Sequence, residues 1–345
     1  MRIVLVGGGV EPIPPTGYGG TERFIADLQV ALRDAGHEAV VVNRVRHRRL
    51  RDEYPFAWEV PRLLRDLRYD AVHANSPVVA NRLALAGIPY AYTSHSRHWY
   101  YRERLSHRWG YWLERRAVRH SAAPVALTEP LARTMQSAVG TTRRPIAIIP
   151  FGVDGRRFAP RWERRTGHLA LGVGVVAPVK RWELAAHALR GTGLRLVLVG
   201  PTPDREYADR VRSAGDAVEL AGEVSGDQLT NWFAESDLLV HPSRVELLSG
   251  AVVQALSAGL PVVGGPALEG VVEDGATGWC VPDPEPASFV AGLRRRVVDL
   301  QRDPALRRRM GEAARAVAEE RFAWPAVVRR YEEVYRVVAD QTRSG

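Results

Sequence analysis

The chain is expected to be an α/β protein built from two doubly wound, Rossmann-like domains with a ligand cleft between them. Three observations carry that expectation. Its 345 residues exceed one ordinary hydrophobic core, and at roughly 150 residues per domain they imply two. Short apolar runs rich in Val, Ile and Leu alternate with helical stretches, the pattern of parallel strands covered by helices. The pattern then restarts after an irregular stretch at residues 151–167.

The first domain opens on "RIVLV" (2–6), read as a strand. A helix follows from Thr21 to Ala35, with Phe24, Ile25, Leu28 and Leu32 on one stripe, Thr21 placed to cap its start and Gly36 to stop it. Further strands are expected at 39–43, 71–74, 90–93, 124–128 and 146–150. The second domain repeats the plan with strands at 169–176, 194–200, 217–220, 237–243 and 261–264, each followed by a helical segment. In the tail, Pro325 marks a helix start, and Val327, Val328, Tyr331, Val334, Tyr335 and Val338 share one side that must pack on something. The expected divisions are 1–155, 156–323, and a terminal helix, 324–345, packing back on the first domain.

Composition excludes several classes. Hydrophobic residues at 46% and charged ones at 25% are those of a globular chain. No run approaches the roughly 18–20 apolar residues of a membrane span, and "MRIVLVGGG" is too short for a signal peptide. A cytoplasmic protein without membrane association is therefore expected. The lone Cys280 has no disulfide or metal-cluster partner and reads as a small core residue. A net charge of +9 invites an anionic partner. The basic runs at 43–53, 161–165 and 295–309 are dispersed, however, and read as solvated faces, with no zinc-finger, basic-heptad or RNA-binding motif. No nucleic-acid partner is expected.

Doubly wound sheets bind ligands beyond the carboxyl ends of their strands. After the first strand, Gly7, Gly8 and Gly9 run into prolines rather than a helix, and the next strand ends in Asn43 instead of an acid. A dinucleotide fingerprint, and with it a dehydrogenase, is thus poorly supported. Gly19 and Gly20, where the helix opens, let backbone approach a ligand. In the second domain Glu246 precedes a helix that Ser249 is placed to cap, with Gln254 further inside. Of 48 Lys and Arg residues only Lys180 is lysine, and it lies in the turn after that domain's first strand. A compact, unshared ammonium near a helix start would offset a diphosphate leaving group.

These residues resemble the family 4 retaining glycosyltransferases of GT-B fold over nearly the whole chain. "PPTGYGGTERFIADLQVALRDAGHEAVVV" is similar to the family's first loop, helix and second strand, and closest to a "YGGTER" subset that includes antibiotic-tailoring enzymes. "IIPFGVDGRRFAP", "GEVSGDQLTNWFAESDLLVHPSRVE", "LSAGLPVV" and "EDGATGWCVPDP" are similar to its later segments. The resemblance implies a nucleotide-sugar donor (UDP-, GDP- or dTDP-linked) as substrate, retention at the anomeric carbon, no obligatory cofactor or metal, and a small-molecule or glycan acceptor bearing a hydroxyl or other nucleophile. It gives Glu246, Lys180 and His95 catalytic roles: Glu246 holds sugar hydroxyls, Lys180 contacts the diphosphate and His95 approaches the transferred sugar. For the donor it implies Gly19, Gly20, Lys180, Arg181, Glu223, Val224, Leu248, Ser249, Gly250 and Gln254.

Two positions depart from the family. Val175 stands where an Arg is usual, and Gln254 where the second acid of a Glu-x7-Glu pair is usual. Arg181 and Arg244 are candidates for the missing charge. The departures keep a second reading open, a catalytically silent nucleotide- or sugar-binding protein on the same scaffold. For the acceptor, residues 92–116 gather Trp99, Tyr100, Tyr101, Trp109, Tyr111 and Trp112 among basic residues. They read either as a sugar, aglycone or headgroup surface or as a helix packing its aromatics inward.

Overall fold

The computed structural model describes residues 1–16, 19–45, 52–101, 103–142 and 144–344. Tyr18 of the "YGGTER" stretch and residues 46–51 of the first basic run lie outside the described residues. The chain divides into two compact units, Met1–Gly152 with Trp324–Gly345, and Val153–Ala323.

The first unit runs β1 (Arg2–Val6), α1 (Gly20–Asp34), β2 (Glu38–Val42), α2 (Glu53–Arg65), β3 (Ala71–Ala74), α3 (Pro77–Leu85), β4 (Ala91–Thr93), α4 (Leu105–His120), β5 (Ala123–Ala126), α5 (Glu129–Val139) and β6 (Ala147–Ile148). Its sheet has the order β2-β1-β3-β4-β5-β6, all parallel. The second unit runs β7 (Leu169–Val173), α6 (Trp182–Leu189), β8 (Arg195–Val199), α7 (Arg205–Ala214), β9 (Val218–Gly222), α8 (Gly226–Glu235), β10 (Leu238–His241), α9 (Gly250–Ser257), β11 (Val262–Gly264), β12 (Gly278–Cys280), α10 (Pro286–Arg302) and α11 (Pro304–Val317). Its parallel sheet has the order β12-β11-β10-β7-β8-β9. The last helix, α12 (Trp324–Ser344), belongs to the first unit.

Local chemistry explains many of the boundaries. Ser225 and Gln228 form a reciprocal capping box at the start of α8, and Thr128 caps α5 through Leu131 N. At α1 the expectation fails: Gly19 is the N-cap, no side chain caps it, and Thr21 lies inside the helix. The sequence reading also missed β12. Three residues carry too little periodicity, and Gly278 is forced, because a Cβ there would sit 1.9 Å from Val262 O. Cys280 on that strand is half-buried rather than a core residue.

In the first unit the α1 stripe, β1 and the apolar side of α12 share one core that includes Ile3, Leu5, Phe24, Leu28, Tyr331 and Tyr335. That core holds a buried polar seam. His73 on β3 is hydrogen-bonded through Nδ1 to Tyr335 Oη (2.9 Å) and through Nε2 to Thr93 Oγ1 (2.8 Å), which also meets Tyr331 Oη (3.2 Å). Burial, with a smaller contribution from His95, pushes the His73 ring down to about 3. Tyr335→Phe should leave a buried ring nitrogen unpaired and cost about 1–3 kcal/mol, measured by urea unfolding. Tyr331→Phe should cost less, since Thr93 keeps its bond to His73. An unchanged urea midpoint for Tyr335→Phe would show that the seam adds nothing to stability.

Candidate functional site

A doubly wound sheet opens a crevice where its strand order reverses, beyond the carboxyl ends of the two strands concerned. In the second unit that point lies between β7 and β10. Lys180 follows β7 and Glu246 follows β10, and the Lys180 ammonium donates a hydrogen bond to Glu246 Oε1. Both side chains are largely buried, 10% and 17% exposed. The ammonium is therefore shared, which corrects the unshared charge expected from sequence. Burial alone would raise the Glu246 carboxyl, but Lys180 and the neighbouring His241 hold it below its ordinary value.

The backbone makes room for this pair. Gly174 has φ +146, and a Cβ there would lie 3.3 Å from Lys180 Cε. Gly200, at φ +145, touches the same turn, since its Cβ would lie 2.3 Å from Gly174 O. His241, at the end of β10, was not singled out in the sequence. It is fully buried, 3.8 Å from Glu246 Oε1, and neither ring nitrogen has a hydrogen-bond partner among the described residues. Burial first, and the Lys180 charge second, push it down to about 4.

The other expected donor residues are placed as follows. Ser249 is the N-cap of α9, but its side chain makes no cap hydrogen bond, contrary to expectation. Gly250 faces open space, where an added Cβ would meet nothing within 4 Å. Leu248 is buried beneath this turn, and Gln254 is half-buried one helical turn on, with no side-chain hydrogen bond to the described residues. Glu223, exposed, and Val224, half-buried, follow β9 on the flank of the sheet. Arg181 does not fill the gap left by Val175. It adopts a left-handed backbone (φ 59), reaches both carboxylate oxygens of Asp283 and lies over the Phe289 ring. Arg244 goes to Asp283 as well, through Nε at 3.1 Å. Asp283, 1% exposed, thus takes up both candidate charges; nothing in the sequence signalled it.

In the first unit the order reverses between β1 and β3. Asn75, just after β3, bonds Val6 O with its own amide nitrogens and accepts from His95 Nε2 at 3.0 Å. The His95 ring stacks on Phe151 and packs against Phe24, and burial pushes it down to about 3. Beside it, buried Glu114 accepts from Tyr92 Oη (2.8 Å) and Ser94 Oγ (2.9 Å), and Ser94 accepts from Trp99 Nε1 (2.8 Å). Burial lifts this carboxyl to about 7 despite those bonds. Gly19 and Gly20 stand at the start of α1, and a Cβ on Gly20 would meet nothing. Asn43 holds the glycine loop, accepting from Gly9 N at 2.9 Å and donating through Nδ2 to Glu11 O at 2.8 Å, a donation that a carboxylate could not make. The aromatic segment divides: Trp99 is buried, whereas Trp109 and Trp112 are exposed.

Residues 18–157 match the family model described as Glycosyltransferase Family 4, and residues 172–299 the one described as Glycosyl transferases group 1. The chain is 31% identical over 261 residues to D-inositol 3-phosphate glycosyltransferase of Kineococcus radiotolerans, covering 65% of this chain and 59% of that protein. It is 32% identical over 212 residues to 2-deoxystreptamine glucosyltransferase of Streptomyces kanamyceticus, covering 54% of each. It thus spans little more than half the length of these relatives. Among solved structures, the Anabaena HepE protein in complex with UDP and glucose has a TM-score of 0.73 at 18% identity, covering 97% of this chain and 99% of that one. The two sheets are those of a GT-B fold.

The geometry around His241 sets a pH dependence. The unfolded ring protonates near 6.5 and the folded one only near about 4, so between these values the unfolded state binds more protons and stability falls as pH drops. His73 and His95 act with the same sign, and Glu114, raised from 4.5 to about 7, acts against it. Since neither His241 nitrogen is bonded, His241→Leu loses no hydrogen bond. Its urea midpoint should fall less than that of the unsubstituted chain between about pH 7 and about pH 5. An equal fall would remove this ring from the acid response.

Proposed function

From a chain that carries a glycosyltransferase family 4 segment followed by a group 1 segment, we infer a retaining, metal-independent glycosyltransferase that uses a UDP-, GDP- or dTDP-linked sugar. The observation that carries this reading is the Lys180–Glu246 pair at the switch point of the second unit, beside the open start of α9. In the reaction the bond from the anomeric carbon to the diphosphate breaks, and its electron pair leaves on phosphate oxygen. The acceptor oxygen bonds to the same face of that carbon and releases its proton to the departing diphosphate. Charge develops on the leaving group, and Lys180 is the cation that meets it. Glu246, released from Lys180, then accepts from sugar hydroxyls, and free amides at α9 suit a phosphate oxygen.

Gln254 retains one amide oxygen for a ribose hydroxyl, so its replacement of an acid weakens donor binding without abolishing it. Arg181, Glu223, Val224, Leu248 and Ser249 line the donor in this reading. Arg181 does so through its backbone, its side chain being held by Asp283. His95 works as a neutral ring: Nε2 donates to Asn75, which leaves Nδ1 as acceptor for a hydroxyl. The acceptor is a hydroxyl-bearing small molecule or glycan. The relatives' names, an inositol phosphate and a deoxystreptamine, support a polyhydroxylated ring and a natural-product setting.

A thermal-shift panel of UDP, GDP, dTDP and ADP identifies the base, since a ligand at about 100 times its Kd adds about 2.7 kcal/mol. Lys180→Ala should then lower kcat/KM by about 2–4 kcal/mol of transition-state stabilisation. Glu246→Gln should keep nucleotide binding and lose transfer. Near-normal turnover of Lys180→Ala, measured as sugar release or transfer, would take Lys180 out of the mechanism. Saturable nucleotide binding with no turnover on any donor would make the chain a silent binder.

A further inference from the structure

From the sequence no membrane association is expected, because no apolar run is long enough to span one; a peripheral contact needs instead an exposed apolar face. The first unit has one. On α4, Leu105 (81% exposed), Trp109 (58%) and Trp112 (47%) lie on a single stripe, and on α2 Trp58 is 65% exposed. The two stripes join: Trp109 Nε1 donates to Tyr54 Oη at 2.9 Å, and Arg82 of α3 lies 4.4 Å over the Trp58 ring. Exposed arginines border them, Arg62 and Arg65 on α2, Arg108, Arg115 and Arg119 on α4. The acids of these three helices are engaged within the protein. Glu53 accepts from Ser76, Glu59 pairs with Arg44, and Glu114 is buried against Tyr92 and Ser94.

We propose that this face of α2, α3 and α4 docks on a membrane surface that carries anionic headgroups. Bulky indoles left in water are costly unless something covers them, and indoles bordered by guanidinium groups match the boundary between headgroup and acyl chain. The charge selects an anionic surface and opposes a second copy of the same face, which would bring arginines against arginines. The ring geometry argues against stacking on a sugar or a base. Trp109 and Trp112 stack on each other (5.0 Å, 15° between planes), and Arg82 lies over Trp58, so one face of each ring is already taken. Among the described residues no helix is long and apolar enough to cross a membrane, and the contact proposed is peripheral. None of these residues belongs to the donor site, and the inference stands or falls apart from the proposed activity.

The test is co-sedimentation of the full chain with phosphatidylcholine vesicles, with and without phosphatidylglycerol, at low and raised salt. Capture should require phosphatidylglycerol and weaken with salt. It should fall roughly tenfold or more in Arg108→Glu/Arg115→Glu. Trp109→Ser/Trp112→Ser should also lose capture at low salt, where the arginines remain; both indoles are exposed, and a thermal melt checks that the chain is folded. No capture on anionic vesicles at low salt would overturn the proposal, as would capture indifferent to both double substitutions. Capture of a single-stranded oligonucleotide that depends on the same indoles, with vesicles ignored, would overturn it too.

Discussion

An ammonium and a carboxylate sharing one largely dry pocket set the terms for the second unit. Each of Lys180 and Glu246 is tolerable there because the other is present. Removal of one partner from such a buried pair costs about 3–5 kcal/mol, because a desolvated charge is left alone. The surrounding choices follow from that constraint. Gly174 and Gly200 give up side chains so that the lysine stem can lie along the turn. His241, fully buried below the pair, is held neutral, since a second cation beside Lys180 would face both desolvation and repulsion. The unit reaches its ligand already neutralised within itself. On the proposed reading an incoming diphosphate must draw Lys180 away from Glu246, and the freed carboxylate then needs new donors, which a sugar's hydroxyls supply. Anion and polyol binding are thereby coupled, each favouring the other.

The first unit meets the same need, polar groups at the carboxyl ends of buried parallel strands, almost without charge. His73, Thr93, Tyr331 and Tyr335 satisfy one another, and Asn75 joins the end of β1 to His95. Neutral networks of this kind are costly when half-made and rigid when complete. Glu114 is the exception. Burial lifts it to about 7, and one of its oxygens has no partner among the described residues. Through Ser94 it also holds the Trp99 indole, so the segment carrying His95 is fixed from below by a carboxyl close to neutrality.

What the sequence revealed was the repetitive part. Period-two and helical patterns placed eleven of the strands within a few residues, because buried parallel strands are continuous apolar runs. They failed for β12, whose three residues owe their conformation to contact with Val262. The solitary lysine drew attention for a compositional reason, but its partner lies in a turn after a different strand, and no spacing rule links residues 180 and 246. Asp283, His241 and Glu114 were invisible for the same cause. Their importance comes from which side chains the fold brings to them. Trp99 and Trp109 illustrate the limit from the other direction: one segment holds both, yet one is sealed beneath Ser94 and the other faces solvent, and an aromatic count cannot tell them apart.

The arginine content misleads in a related way. A net charge of +9 implies a generally cationic surface, but several guanidinium groups are turned to backbone carbonyls that would otherwise lack donors. Arg315 reaches Gly155 O and Ser257 O, Arg165 reaches Gly259 O, Arg294 reaches Ala188 O, and Arg307 reaches Leu300 O. Five N–H donors in a planar fork suit that task, where an ammonium would present only a point of charge. Arginine here is in part a backbone ligand, which accounts for its abundance without any anionic partner. The exposed guanidinium groups on α2 and α4 are different in kind, because they border indoles, and the acids on those helices are engaged within the protein. Part of the chain's positive charge thus has a use as backbone ligand that no anion sees, and the guanidinium groups beside the indoles are among those that remain available.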